Sequence, residues 1–286
     1  MRIRFCDVDG VRMRYYEAGE GRPVLLVHGG GAAADTWVRN IEALAQHYRV
    51  LAPDLIGHGF SDWVDIEGKV PQVEQARHLG AFLDHLGIGE IAVIGHSFGG
   101  LVTALLHLDR PKQVTVLGLI SSSSVFHSPT DFGTAVGNAY QNQIGALENP
   151  SLEKLRARNV GSNFIKEDTF EEILLVQLTY MGLPDRKKAF EQMHYGLLAS
   201  AHSTEHRVYH RLEELRVPVL VITGREDPRA KWAVVKAGAE RIADSEFHLV
   251  ERSGHKPYSE QHQTFNALAL DFLARRYPYA RAEAAA

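Results

Sequence analysis

Apolar positions along this chain follow two rhythms that alternate. Short, β-branched runs predict buried strands at Pro23–His28, Arg49–Asp54, Ile91–Ile94, Val114–Ile120, Val217–Thr223 and Glu246–Glu251. Residues 2–18 alternate roughly, with Asp9-Gly10 between two short runs, which is a hairpin signal. Helical spacing fills the gaps. Trp37, Ile41 and Leu44 share a face between about 35 and 47, and Val73, Ala76, Leu79, Leu83 and Leu86 share another until Gly87 caps it. Leu101 to Leu108 is apolar almost all round, so its helix is expected to be buried on most sides. Further helices are predicted near 230–242 and over 260–277.

Strand and helix alternating with short connections predict an α/β fold, a mostly parallel, doubly wound sheet with helices on both faces. Between about Ser121 and Leu215 the alternation stops. Five helix-like segments, roughly 131–148, 151–159, 168–182, 185–200 and 203–214, replace it. This reads as a helical cap, 125–211, inserted between two halves of a core domain, 1–124 and 212–286. In open α/β sheets the C-terminal strand ends carry the site, so the cap is expected to lie over them as a lid.

Composition narrows the picture. The chain has 286 residues, 45% hydrophobic and 23% charged, as in ordinary globular proteins. A formal net charge of −4 gives no reason to expect nucleic acid as a partner. One cysteine, Cys6, excludes an intrachain disulfide and fits a reducing cytoplasm. The N-terminus lacks a signal-peptide core, and no apolar run approaches bilayer-spanning length, so no membrane partner is expected. Arg281 to Ala286 reads as a frayed or non-native tail. A small-molecule substrate is the expected partner, with a homodimer compatible.

The chemistry concentrates where strands end. Gly95-His96-Ser97-Phe98-Gly99 matches G-x-S-x-G between a strand and a helix, making Ser97 a candidate nucleophile. A serine hydroxyl needs a base, and the base needs a group that fixes its tautomer. Asp227 follows one predicted strand and His255 another, in the chain order Ser, acid, His. Glu226 is the rival acid. An oxyanion hole needs backbone N–H groups, and Phe98 with Gly30 are the candidates, Gly31 close behind. His28 is expected to hold the glycine loop.

Taken together, the His28-Gly-Gly-Gly31 loop, Asp54 to Ser61, Gly95 to Gly100, Gly224-Arg-Glu-Asp227 and Gly254-His255 resemble the α/β-hydrolase superfamily over about 10–124 and 212–277. That resemblance implies a Ser97, His255, Asp227 triad, no metal or organic cofactor, and a structural turn at Asp54–Ser61. An Asp nucleophile, as in dehalogenases and most epoxide hydrolases of this fold, is absent. The layout is also similar to hydrolases that cleave carbon–carbon bonds in aromatic ring-fission products, in which Asn40 would match a substrate-facing Asn. Three departures weigh against that branch. His96 stands where its members have Asn, Lys256 where they have Trp, and Val176-Gln-Leu-Thr-Tyr180 lacks the carboxylate-binding Arg. Ester or lactone hydrolysis, needing only triad and hole, is therefore the expected reaction, with carbon–carbon cleavage and a receptor-like binding role as alternatives.

Two further signals bear on the cap. His202-Ser-Thr-Glu-His206 matches H-x-x-E-H, with His210 extending the spacing, but charged neighbours favour a solvated helix face over zinc. Phe126 and Met181, with Lys256 and Gly31, are expected to line the pocket.

Overall fold

The computed structural model describes residues 1–166 and 171–279; the start of the helix expected at 168–182 and the Arg281–Ala286 tail lie outside the described residues. Within them, eight strands form one sheet: β1 (Arg2–Val8), β2 (Val11–Ala18), β3 (Pro23–Val27), β4 (Arg49–Pro53), β5 (Ile91–His96), β6 (Val114–Ile120), β7 (Val219–Gly224) and β8 (Ser245–Val250), ordered β1-β2-β4-β3-β5-β6-β7-β8. β1 pairs with β2, and β2 with β4, antiparallel; every other pairing is parallel.

The inner parallel strands β3, β5, β6 and β7 are largely apolar because helices cover both faces. Leu25, Val93, Leu117 and Val221 point into one core with α2 (Pro71–His85) and α3 (Phe98–Asp109). Their neighbours Val24, Ala92, Ile120 and Ile222 point into the other, against α1 (Val38–Leu44) and a C-terminal helix described below. Each buried Val, Leu or Ile side chain contributes roughly 1.5–3 kcal/mol by leaving water. β5 lies at the centre, with all six residues buried. The glycines of its C-terminal motif are required by packing. A Cβ on Gly95 would come within 2.4 Å of the Gly99 carbonyl oxygen, and one on Gly99 within 2.4 Å of the His28 oxygen.

Between β6 and β7 run α4 (Ser123–Phe126), α5 (Pro129–Glu148), α6 (Leu152–Val160), α7 (Glu171–Met181) and α8 (Arg186–Ala199). α5 and α6 are N-capped by Ser128 and Ser151, whose hydroxyls accept from Asp131 and Lys154 N–H. After β7 come α9 (Trp232–Ala239), β8, α10 (Pro257–Glu260) and α11 (His262–Arg276), the helix packed on the second core. No helix among the described residues is long and apolar enough to cross a membrane.

Two expectations change. The helix from about 35 opens as a 3-10 turn, Ala34–Trp37, before α1. The helix expected at 203–214 does not form; two 3-10 turns, Val208–His210 and Leu212–Glu214, stand there instead. The cause is Arg207, a fully buried guanidinium that donates to the carbonyls of Ala201, Ser124 and His127 and sits 3.7 Å from the Phe132 ring. Drawing that side chain inward breaks the helix that would have aligned His202, His206 and His210. Among the described residues, no group of three His, Cys, Asp or Glu is arranged to hold a metal.

Candidate active site

Ser97 sits at the sharp turn from β5 into α3 with φ 51 and ψ −118, a strained backbone conformation costing about 1–3 kcal/mol. Surrounding packing holds it. The Ser97 carbonyl accepts hydrogen bonds from the Ser122 and Ser124 hydroxyls beyond β6, at 2.7 and 3.0 Å.

His255 and Asp227 arrive from the loops after β8 and β7. His255 Nε2 lies 3.1 Å from Ser97 Oγ, and its Nδ1 lies 2.9 and 3.1 Å from the Asp227 carboxylate oxygens. With Nδ1–H donating to the carboxylate, Nε2 is left with a lone pair toward the hydroxyl. Asp227 is itself oriented, its Oδ1 accepting from Arg229 and Ala230 N–H at 2.8 and 2.9 Å. Burial holds the His255 imidazole below its ordinary pKa, with the Asp227 charge opposing. Glu226 is exposed and points elsewhere, accepting from the buried Ser253 N–H.

The loop carrying His255 is tied down from three sides. His96, the residue before Ser97, donates from Nε2 to the His255 carbonyl at 2.8 Å. The His255 N–H donates to Ser162 O, on the segment after α6. Buried Glu260 accepts from Gly254 and Lys256 N–H with one oxygen, and from Phe164 and Ile165 N–H with the other, at 2.6 to 3.3 Å. The glycine loop after β3 is held by His28, whose Nδ1 donates to Gly29 O and whose Nε2 accepts from Leu55 N–H. Asp54 anchors the following turn through Arg14, Ala34 N–H and Phe60 N–H.

A two-armed cleft meets at Ser97 and Gly30. One arm has an apolar wall of Phe98, Phe132, Val136, Phe190, Met193 and Leu197. The other is polar, lined by Gly31, Arg158, Asn159, Gln177, Arg229, His255 and Lys256. Gln143 of α5 lines both and packs on Gly31.

The polar arm is cationic. Arg158 is buried on α6, donating to Gln177 Oε1 at 2.7 Å and to Gly31 O at 3.4 Å. Arg229 lines both arms, and burial lowers its pKa, with Asp227 opposing and Arg158 adding to the lowering. Lys256 Nζ donates to Asn159 Oδ1 at 2.7 Å. Among the described residues, no carboxylate forms an ion pair with Arg158 or Arg229.

Three expected pocket residues are elsewhere. Asn40 is fully buried on α1, where its amide donates to Tyr258 O and Asn266 Oδ1; those bonds turn it away from the cleft and tie α1 to α10 and α11. Phe126 is in the core, packed so closely on Gly238 that a Cβ there would lie 2.5 Å from its ring. Met181 borders a separate small cavity beyond Gly31, its sulfur 3.8 Å from Arg158. Arg158, Arg229, Gln143 and Gln177 went unnoticed in the sequence. Arg229, two residues past Asp227, was the one with a positional signal.

The alpha/beta hydrolase fold family model matches residues 22–261, and the chain belongs to that family. It is a hydrolase of that fold. It is 31% identical to the dihydrolipoyllysine-residue acetyltransferase component of the acetoin cleaving system of Cupriavidus necator, over 94% of this chain and 68% of the relative. It is 28% identical to the 2-hydroxy-6-oxo-6-(2'-aminophenyl)hexa-2,4-dienoic acid hydrolase of Metapseudomonas resinovorans, over 98% and 94%. Among solved structures, a serine hydrolase involved in carbazole degradation superposes with a TM-score of 0.81 at 25% identity, covering 96% of this chain and 99% of that one.

Proposed function

We propose that this chain hydrolyses a carbon–carbon bond in a carboxylate-bearing ring-fission product, with Ser97 as nucleophile, His255 as acid–base and Asp227 as the group orienting it. One observation carries the choice over an ester: Arg158 and Arg229, without a carboxylate partner among the described residues, line the arm that also holds Ser97 and His255. Buried guanidinium groups call for an anion, and a bidentate carboxylate matches their geometry. The missing arginine on α7 had spoken against this branch; Arg158 reaches the same Gln177 from α6 instead. The resemblance to a dienoic acid hydrolase supports the reading independently.

Chemically, the dienol acid first shifts a proton from its 2-hydroxyl to the carbon beside the ketone, by way of His255, giving a vinylogous 1,5-diketone. Ser97 Oγ then adds to the ketone carbon as its proton passes to His255 Nε2, and the Gly30 and Phe98 N–H groups receive the oxyanion. Cleavage sends the bonding pair into the conjugated 2-keto acid, with the proton held by His255 completing 2-hydroxypenta-2,4-dienoate. Water, losing its proton to His255, attacks the acyl-Ser97, and the acid R–COOH leaves as Ser97 is reprotonated. Substrate plus one water equals the two acids.

The test is turnover of a 6-aryl ring-fission dienol acid, followed by loss of its visible absorbance, beside p-nitrophenyl acetate. Rapid decay of the dienol with slow ester cleavage is expected. Efficient ester cleavage with an inert dienol would return the function to an esterase or lactonase. Absence of both, with no fluorophosphonate adduct on Ser97, would leave a binding role.

A further inference from the structure

The apolar arm contains a polar group that the reaction does not use. His194, on α8, is 5% exposed and lines this arm among Phe132, Val136, Phe190, Met193 and Leu197. Its ring lies against Tyr140 at 4.4 Å between centroids and stacks near Phe190 at 6.3 Å. Among the described residues nothing hydrogen-bonds to either ring nitrogen, and neither is sealed within apolar packing. A histidine held for packing alone has no use for its ring nitrogens. One with an unanswered donor and acceptor on a binding wall is available to a ligand.

We propose that His194 is a specificity-determining residue, recognising a hydroxyl or amino substituent on the acyl group of the substrate. This rests on the reading above: with the substrate carboxylate held in the arm that contains Arg158, the acyl group falls in the apolar arm. Burial lowers the imidazole pKa with no acidic group contributing, so the ring is neutral near pH 7 and offers one N–H and one lone pair. A phenolic hydroxyl can donate to the lone pair or accept from the N–H, and an aniline nitrogen likewise. The surrounding aromatic and aliphatic side chains accommodate the ring that bears it. A site built to hydrogen-bond a substituent discriminates against the analogue lacking it, because its polar group then stays unanswered.

The experiment uses the acids that the acyl arm would release. Benzoate and its 2-, 3- and 4-hydroxy isomers are titrated calorimetrically into the wild-type protein and into His194→Phe, which keeps the aromatic stacking. At least one hydroxy isomer should bind wild type about five- to tenfold tighter than benzoate, the size of one net hydrogen bond. That advantage should disappear in His194→Phe, while benzoate itself binds within about twofold of wild type. If His194→Phe does not fold, His194→Leu is read in the same way against its own benzoate value. Equal binding of all four acids to wild type, no measurable binding of any, or an advantage that survives removal of the imidazole would each overturn the proposal. The result is separable from the reaction: an inert dienol with hydroxybenzoate discrimination sinks the carbon–carbon reading and leaves the His194 contact standing.

Discussion

At the residue scale, the site rests on a hydroxyl 3.1 Å from an imidazole that a buried carboxylate orients. Ser97→Ala and His255→Ala should each lower kcat by several orders of magnitude, with much of the substrate binding retained in single-turnover assays. The pH dependence follows from the direction of the His255 shift. Protonation removes the lone pair that takes the serine proton, so kcat/KM must fall as pH drops through the His255 pKa. Burial holds that pKa below the usual 6.5, so the acid limb should be centred below pH 6.5. An acid limb centred above pH 7 would contradict this geometry. Arg158→Met should reduce the ratio of dienol acid to neutral ester turnover by about 10- to 100-fold, the worth of a charge-assisted hydrogen bond. An unchanged ratio would mean that the carboxylate binds elsewhere. The residues that meet here were legible because each ends a strand, and strand order dictates which loops adjoin. Arg158 was not, since a cation on a polar helix says nothing about which neighbour it turns to. Asn40 misled because its polarity signals a binding role, whereas its amide N–H groups are spent on two internal hydrogen bonds.

At the element scale, the α6–α7 connection and the His255 loop share one buried carboxylate. Glu260 accepts four backbone N–H groups, two from each side. Gln in its place retains one acceptor oxygen and turns the other into a donor facing two N–H groups. Glu260→Gln should therefore lower stability by about 2–4 kcal/mol, from lost hydrogen bonds to a charged group. Because the same loop carries His255, the proposed base, kcat should drop about tenfold or more with KM little changed, as for an interaction felt mainly in the transition state. A loss of stability with unaltered kcat would make Glu260 only a fastener. The parallel strands and α2, α3, α5 and α8 were readable from periodicity, because burial on one or both faces imposes it. The segment at 203–214 was not. Its polar residues fit a solvated helix, and only tertiary contact reveals that Arg207 is drawn into the core.

At the scale of the whole molecule, the sequence divides the chain into a core and a cap, but the apolar packing does not stop at that division. One cluster runs from Leu25, Val93 and Val102 through Phe98 to Phe132, Val136, Phe190, Met193 and Leu197 of the insert. Polar ties cross the same boundary: Arg186 donates to Ser61 O, Gln72 to Ser200 Oγ, and Arg207 to Ser124 O. An insert whose apolar face is completed by the core has little of its own to bury if removed, and a small unit burying little surface is not stable alone. Thermal unfolding should accordingly be one transition, coincident when followed by far-ultraviolet ellipticity and by tryptophan fluorescence. Trp37 and Trp232 report only the core side, and Trp63 lies within cation–π distance of Lys188 on α8, so fluorescence samples the seam as well. A second, earlier transition, strong in ellipticity and reported by Trp63 at the seam, would mean that the insert melts by itself. The two-armed cleft would then be assembled by the substrate rather than waiting for it.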